Sequence, residues 1–182
     1  DFGRLFGRQA PVVLEIGFGN GAQLLHAAIN EPGRNFIGIE VHRPGVGRLM
    51  NGLAEAAIDN VRVARHDAVE VLQRMIGKDA LDEVRIYFPD PWPKKRHAKR
   101  RLFSPDFVRA AAKALVPKGL LRVATDNLPY FDSIREVLDA EPALEKVPGS
   151  DAGWSSGTDY ERKYEKEGRP MARGIWRRRA AG

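Results

Sequence analysis

Cysteine is absent from the 182 residues. Its absence excludes a disulfide framework, a thiolate metal site and a cysteine nucleophile, and fits a reducing compartment such as the cytoplasm. No apolar run approaches the roughly 20 residues of a membrane-spanning helix. The opening residues Asp1 to Arg8 lack the apolar stretch of a signal peptide, and the first residue is not Met, which leaves room for an upstream segment. His, Asp and Glu nowhere recur with metal-ligand spacing, so no metal is expected. Internal repeats and low-complexity tracts are also missing.

What is present in excess is local positive charge. Six of the eight residues from Lys94 to Arg101 are Lys or Arg, a charge as large as the net +6 of the whole chain. The basicity therefore marks a docking surface for a polyanion more than general solubility. This run follows Tyr87-Phe88-Pro89-Asp90-Pro91-Trp92-Pro93, in which three prolines fix their own φ and push the preceding residues toward extended geometry. The segment is predicted to be non-helical and stiff, with Asp90 held beside the basic run. A solvated loop or a localisation signal is the plainer reading of the charges, and a turn cap the plainer reading of Asp90.

At 43% hydrophobic and 30% charged, the chain suffices for one domain with a proper core. Apolar, β-branched runs alternate with segments of helical period, which predicts an α/β fold with a parallel sheet. Predicted strands are Pro11 to Ile16, Asn35 to Glu40, Val61 to Arg65, Glu83 to Phe88 and Leu120 to Thr125. Predicted helices are Gly21 to Asn30, Pro44 to Ala57, Ala68 to Met75, Pro105 to Ala114 and Pro129 to Ala140, with Ser104 as N-cap before Pro105. Residues 141–157 read as a long loop, Asp159 to Glu167 as a helix and Met171 to Arg178 as a last strand.

Three motifs fall where predicted strands end, the edge at which open α/β sheets bind ligands. Glu15-Ile16-Gly17-Phe18-Gly19-Asn20-Gly21 is a glycine-rich turn between the first strand and helix. Glu40 closes the second strand, where an acid can accept hydrogen bonds from a ribose diol, and Asp67 follows the third. Gly17-x-Gly19-x-x-Ala22 satisfies the dinucleotide fingerprint, so an NAD-dependent oxidoreductase stays open beside an S-adenosylmethionine enzyme. A carboxylate at Glu15 would repel a pyrophosphate and attract a cationic amino-acid moiety, which favours S-adenosylmethionine. A non-catalytic RNA-binding protein would explain the basic run but not the acids at the strand ends.

Taken together, Glu15 to Gly21, Gly38-Ile39-Glu40, His66-Asp67-Ala68, Phe88 to His97, Ala124-Thr125-Asp126-Asn127 and Thr158-Asp159-Tyr160-Glu161 resemble the tRNA (guanine-N7)-methyltransferase family. The similarity runs from about Val12 to the C-terminus. It implies a Rossmann-like class I methyltransferase fold, a mostly parallel central sheet flanked by helices, in a single domain spanning 1–182, with 158–182 as a C-terminal substrate-binding element. It also implies transfer of a methyl group from S-adenosylmethionine to N7 of a guanosine, in the variable loop of tRNA. Glu15, Gly17, Gly19, Glu40, Asp67 and Asp90 are implied to line the cofactor site, with Asp90 also catalytic. Lys94, Asp126, Thr158, Asp159, Tyr160 and Glu161 are implied to hold substrate, and Arg96, His97, Lys99, Arg100 and Arg101 to touch RNA. A basic N-terminal extension seen in relatives is not part of this sequence. A cytoplasmic monomer with tRNA as partner and no membrane contact is the expectation.

From the residues themselves, Trp92 and Tyr160 are aromatic surfaces for an unstacked base, or simply anchors for their own segments. Arg169, Arg173, Arg177, Arg178 and Arg179 offer a second basic track.

Overall fold

Strands β1 (Val12–Ile16) and β2 (Asn35–Ile39) are buried along their whole length, as their nearly unbroken apolar composition requires. In the computed structural model, which describes residues 1–180, they join β3 (Val61–Ala64), β4 (Leu81–Tyr87), β5 (Leu115–Thr125), β6 (Leu144–Lys146) and β7 (Ala172–Arg178) in one sheet. The order is β3-β2-β1-β4-β5-β7-β6. Strands β1 to β5 pair in parallel, and β7 runs antiparallel to both β5 and β6. The chain works outward from β1 to β3 and then returns to β4, so the strand order reverses between β1 and β4. A doubly wound sheet opens a ligand crevice at that reversal.

The helices are α1 (Phe2–Phe6), α2 (Ala22–Asn30), α3 (Arg43–Glu55), α4 (Ala68–Glu70), α5 (Pro105–Ala114), α6 (Leu128–Asp139) and α7 (Asp159–Lys166). Helix α4 runs on into a π-helical turn at Val71–Met75. One sheet face packs Leu14, Ile16, Val84, Ile86, Leu121 and Val123 against α4, α5 and α6. The other buries Val13, Phe36 and Val61 under α2 and α3.

Beyond α2 and α3, the second face turns polar. Glu83 is buried there; its Oε1 accepts from Arg85 Nε and Arg122 Nε, each at 2.8 Å, and its Oε2 accepts from Arg34 Nη2 at 3.0 Å. Burial alone would raise the Glu83 carboxyl, but these guanidiniums outweigh it and hold the group below the ordinary glutamate range. The Trp154 ring caps the network, with the Arg122 guanidinium 5.5 Å from its centroid.

The predicted strands and helices of the parallel half all form, with ends shifted by a few residues. Strand β5 begins at Leu115 and not Leu120, because the Pro117-Lys118-Gly119 kink is absorbed as a bulge between the Leu81 and Glu83 registers. The predicted loop 141–157 contains β6, a short edge strand whose Leu144-Glu145-Lys146 carries no apolar run to announce it. The basic run is not fully extended either: past Pro93, Lys95–Arg100 winds into a 3-10 helix. The last two residues of the predicted element 158–182 lie outside the described residues.

Removing Glu83 leaves Arg85 buried without its main counter-charge, so Glu83→Ala is expected to cost about 3 kcal/mol of unfolding free energy. Urea unfolding checks this. A loss no larger than that of Glu31→Ala, on the same network's exposed rim, would show that Glu83 is not its hub.

Candidate active site at the carboxyl edge of the sheet

Glycine at 17, 19 and 21 adopts positive φ of 71°, 61° and 79°, which turns the chain sharply from β1 into α2. The turn is held by Glu40. Its Oε2 accepts from Gly19 N at 2.8 Å, while its Oε1 accepts from Val41 N at 2.8 Å and His42 N at 3.0 Å. Glu40 therefore ties the glycine turn to the start of α3, and lone pairs remain for a further donor. Gly45 in α3 completes the join: a Cβ there would lie 2.0 Å from the carbonyl oxygen of Gly19. Sequence reasoning missed Gly45, since a glycine inside a helical period carries no sign of what packs on it.

Glu15 lies at the base of this turn, 3% exposed, with Oε2 buried and lacking a hydrogen-bond partner. Burial pushes its carboxyl up to about 7 from 4.5, partly offset by the Arg85 guanidinium. An orphaned buried carboxylate is costly in an empty site and is satisfied by a cationic or N–H-bearing ligand. Asp67 is exposed at the end of β3, where its Oδ1 caps α4 by accepting from Glu70 N at 2.9 Å.

Asp90 follows β4 in a strained turn. Phe88 and Trp92 take φ of 50° and 42°, unusual for residues with a Cβ, and Pro89 and Pro91 restrict the intervening backbone. Asp90 is exposed and accepts no hydrogen bond from the described residues. Arg101 braces the turn from outside, donating from Nε to the Pro91 carbonyl at 2.8 Å and from Nη2 to the Trp92 carbonyl at 3.2 Å. The Arg100 guanidinium lies 4.9 Å from the Trp92 ring centre, and His97 meets the ring edge-on at 5.6 Å. Both the packing of Trp92 and the inward use of Arg101 depend on the 3-10 helix. Lys94, Lys95, Arg96 and Lys99 stay exposed, with no acidic partner among the described residues.

The C-terminal element folds back over this edge. Glu161 is 1% exposed: its Oε2 accepts from Ser155 Oγ and Ser156 Oγ at 2.6 Å and from Gly157 N at 3.0 Å. Arg173 Nη2 lies 2.7 Å from its Oε1, an ion pair without hydrogen-bond alignment. Thr158 Oγ1 accepts from Glu161 N at 3.1 Å and so caps α7, while the Glu161 carboxylate reaches back one residue beyond the cap to Gly157 N. Asp159 and Tyr160 face outward. Asp159 Oδ2 accepts from Asn20 Nδ2 at 3.1 Å, which joins α7 to the glycine turn. Hydrogen bonds from Asn20 and Arg162 hold the Asp159 carboxyl below its ordinary range. Tyr160 and Tyr164 pack on Phe88 with ring centroids 5.8 and 5.5 Å away. Asp126, just after β5, accepts from Arg169 Nη1 at 3.1 Å.

The structure thus gathers Glu15, Gly17, Gly19, Glu40, Asp67, Asp90 and Asp126 along one sheet edge, with α7 above it. Thr158 and Glu161 are turned into the fold. The proposed second basic track is largely paired internally: Arg173 with Glu161, Arg177 and Arg179 with Glu145, and Arg178 with Asp79. Among the described residues, no three His, Cys, Asp or Glu side chains cluster to hold a metal ion, and no helix is long and apolar enough to cross a membrane.

A family model described as "Putative methyltransferase" matches residues 9–174. The tRNA (guanine-N(7)-)-methyltransferase of Xanthomonas campestris pv. campestris (strain 8004) is 49% identical over 97% of this chain, which spans 68% of that protein. The enzyme of the same name from Paraburkholderia xenovorans is 45% identical over the whole chain and 71% of its own length. The chain belongs to the tRNA (guanine-N7)-methyltransferase family. Among solved structures, the 16S rRNA methyltransferase KamB superposes with a TM-score of 0.69 at 17% identity, covering 98% of this chain and 92% of its own. TrmN from Thermus thermophilus gives 0.67, also at 17% identity, over 97% and 46%. These likenesses establish the Rossmann-like methyltransferase fold. Family membership removes the oxidoreductase reading.

The raised carboxyl of Glu15 has a signed consequence for the ligand-free protein. Its folded state holds a proton that the unfolded state releases near pH 4.5, so stability falls as pH rises from 4.5 to about 7. Relative to Glu15→Gln, the wild type is expected to lose about 3 kcal/mol across that window and nothing further above it. Chemical denaturation of both proteins at several pH values measures the difference. A gap independent of pH would mean that Glu15 is ionised throughout.

Proposed function

We propose that this chain transfers a methyl group from S-adenosylmethionine to N7 of a guanosine in the variable loop of tRNA. The observation that carries this reading is the continuity of the Asp90 turn with the basic 3-10 helix: a fixed carboxylate at the reaction edge is followed at once by unpaired cations. The residues present fit the cofactor. The orphaned Glu15 oxygen suits an ammonium group, Glu40 has acceptor capacity for a ribose diol, and Gly17 and Gly19 allow close backbone approach. When bound, the cofactor supplies an electrophilic methyl on a sulfonium.

N7 of guanine carries an in-plane lone pair on the major-groove edge and needs no deprotonation before attack. The protein's task is to align the base and to place negative charge near a ring that becomes cationic. Asp90 serves that purpose, and Asp126 assists from the neighbouring strand end. The base must leave its stack, at a cost of a few kcal/mol. Lys94, Asp159 and Tyr160, all exposed, receive it, while Thr158 and Glu161 fix the helix that carries Asp159 and Tyr160. Arg96, His97, Lys99 and Arg100 meet phosphates, and Arg101 acts on RNA indirectly by bracing the turn. The chain works as one methyltransferase unit, in the cytoplasm and as a monomer.

Incubation with labelled methyl donor and total tRNA, then digestion to nucleosides, is expected to yield N7-methylguanosine. Asp90→Ala should lower turnover by at least about 100-fold while tRNA affinity stays within about twofold of wild type. The Lys99→Ala, Arg100→Ala pair should weaken tRNA binding, reduce the slope of log affinity against log salt by about 2, and spare cofactor affinity. Cofactor binding without product on any tRNA would favour a non-catalytic RNA-binding role.

A further inference from the structure

Tyr164 and Arg169 were not singled out together by any sequence motif, yet they meet beside the Asp90 turn. The Arg169 guanidinium lies 4.6 Å from the Tyr164 ring centre and donates from Nη1 to Asp126 Oδ2 at 3.1 Å. A second carboxylate, Glu167, has Oε2 2.8 Å from Arg169 Nε. The backbone fixes this geometry, because Arg169 N donates to the Tyr164 carbonyl at 2.9 Å where α7 ends. Tyr164 in turn rests edge-on against Phe88, two residues before Asp90. Asp126 is 27% exposed and Arg169 50%, so the assembly is open to a ligand from solvent.

A planar cation stacked on an aromatic ring, with its N–H edge on a carboxylate, reproduces the demands of one particular base. Guanine's N1–H and C2 amino group form a guanidine fragment: coplanar, conjugated and carrying parallel donors. Adenine presents a lone pair at N1, which a carboxylate repels. Stacking on tyrosine serves every base, so Asp126 is the element that discriminates.

We propose that Tyr164 and Asp126 form the seat of the target guanine, and that Arg169 fills this seat in the RNA-free enzyme as an internal substitute for the base's guanidine edge. The inference rests on the guanine-N7 reading given above, in which Asp126 already holds substrate, and adds Tyr164 and Arg169 to it. Entry of the base displaces Arg169, whose charge is then free to meet a phosphate of the flipped nucleotide. Until RNA arrives, Arg169 therefore competes with the base for the Asp126 carboxylate and the tyrosine face.

The test is calorimetric titration of guanosine and adenosine onto the protein saturated with S-adenosylhomocysteine. Removing a competitor held by two exposed ion pairs and one cation–π contact should tighten guanosine binding by at least about fivefold in Arg169→Ala. Arg169→Lys should gain similarly, since an ammonium lacks the planar fork. Tyr164→Ala should lose guanosine binding, Tyr164→Phe should keep it, and adenosine should bind weakly throughout. A guanosine affinity that is unchanged or weaker in Arg169→Ala, equal gains for adenosine, wild-type behaviour of Arg169→Lys, or no guanosine binding by any variant would each overturn the proposal. Failure of the underlying reading shows separately, as wild-type protein that forms no N7-methylguanosine in tRNA.

Discussion

The left-handed backbone at Phe88 is the constraint on which the site depends. Such a conformation costs a side-chain-bearing residue about 1–2 kcal/mol and persists only where its surroundings hold it. Here Phe88 N donates to the Ala124 carbonyl at 2.7 Å, which anchors the bend to β5. The Phe88 ring is directed onto Tyr160 and Tyr164, and Asp90 emerges at the sheet edge two residues on. One backbone angle thus joins the end of β5, the Asp90 turn and α7.

Charge is distributed in this molecule by depth. Below the edge, Glu83 is fully compensated by Arg34, Arg85 and Arg122, so it stays ionised and structural. Nearer the edge, Glu15 has only a distant share of Arg85 and retains an unsatisfied oxygen. Two glutamates on adjacent strands, Val13 pairing with Glu83 and Glu15 with Arg85 in one register, therefore have opposite fates. The one with partners builds the fold, and the one without them keeps a buried oxygen unsatisfied.

Much of the parallel half was legible in the sequence because its signals are local. Buried strands read as apolar runs, Ser104-Pro105 marks a helix start that the Ser104 hydroxyl indeed caps, and prolines around Asp90 announce a stiff turn. What escaped depends on partners distant in the chain. Glu161 was implied by resemblance to hold substrate, and only the fold shows Arg173 of β7 closing on its buried carboxylate. Gly45 has meaning only once the Gly19 carbonyl rests against it. β6 has too few apolar residues to be seen without β7 beside it. The helical winding of Lys95–Arg100 was obscured by the prolines before it, whose influence ends at Pro93.

The clasp of Trp92 by Arg100 and His97, together with the grip of Arg101 on two carbonyls, leaves no hinge between the positively charged arm and the acid it follows. Carboxylate and arm are mechanically a single lever. A displacement of either end is therefore passed on to the other.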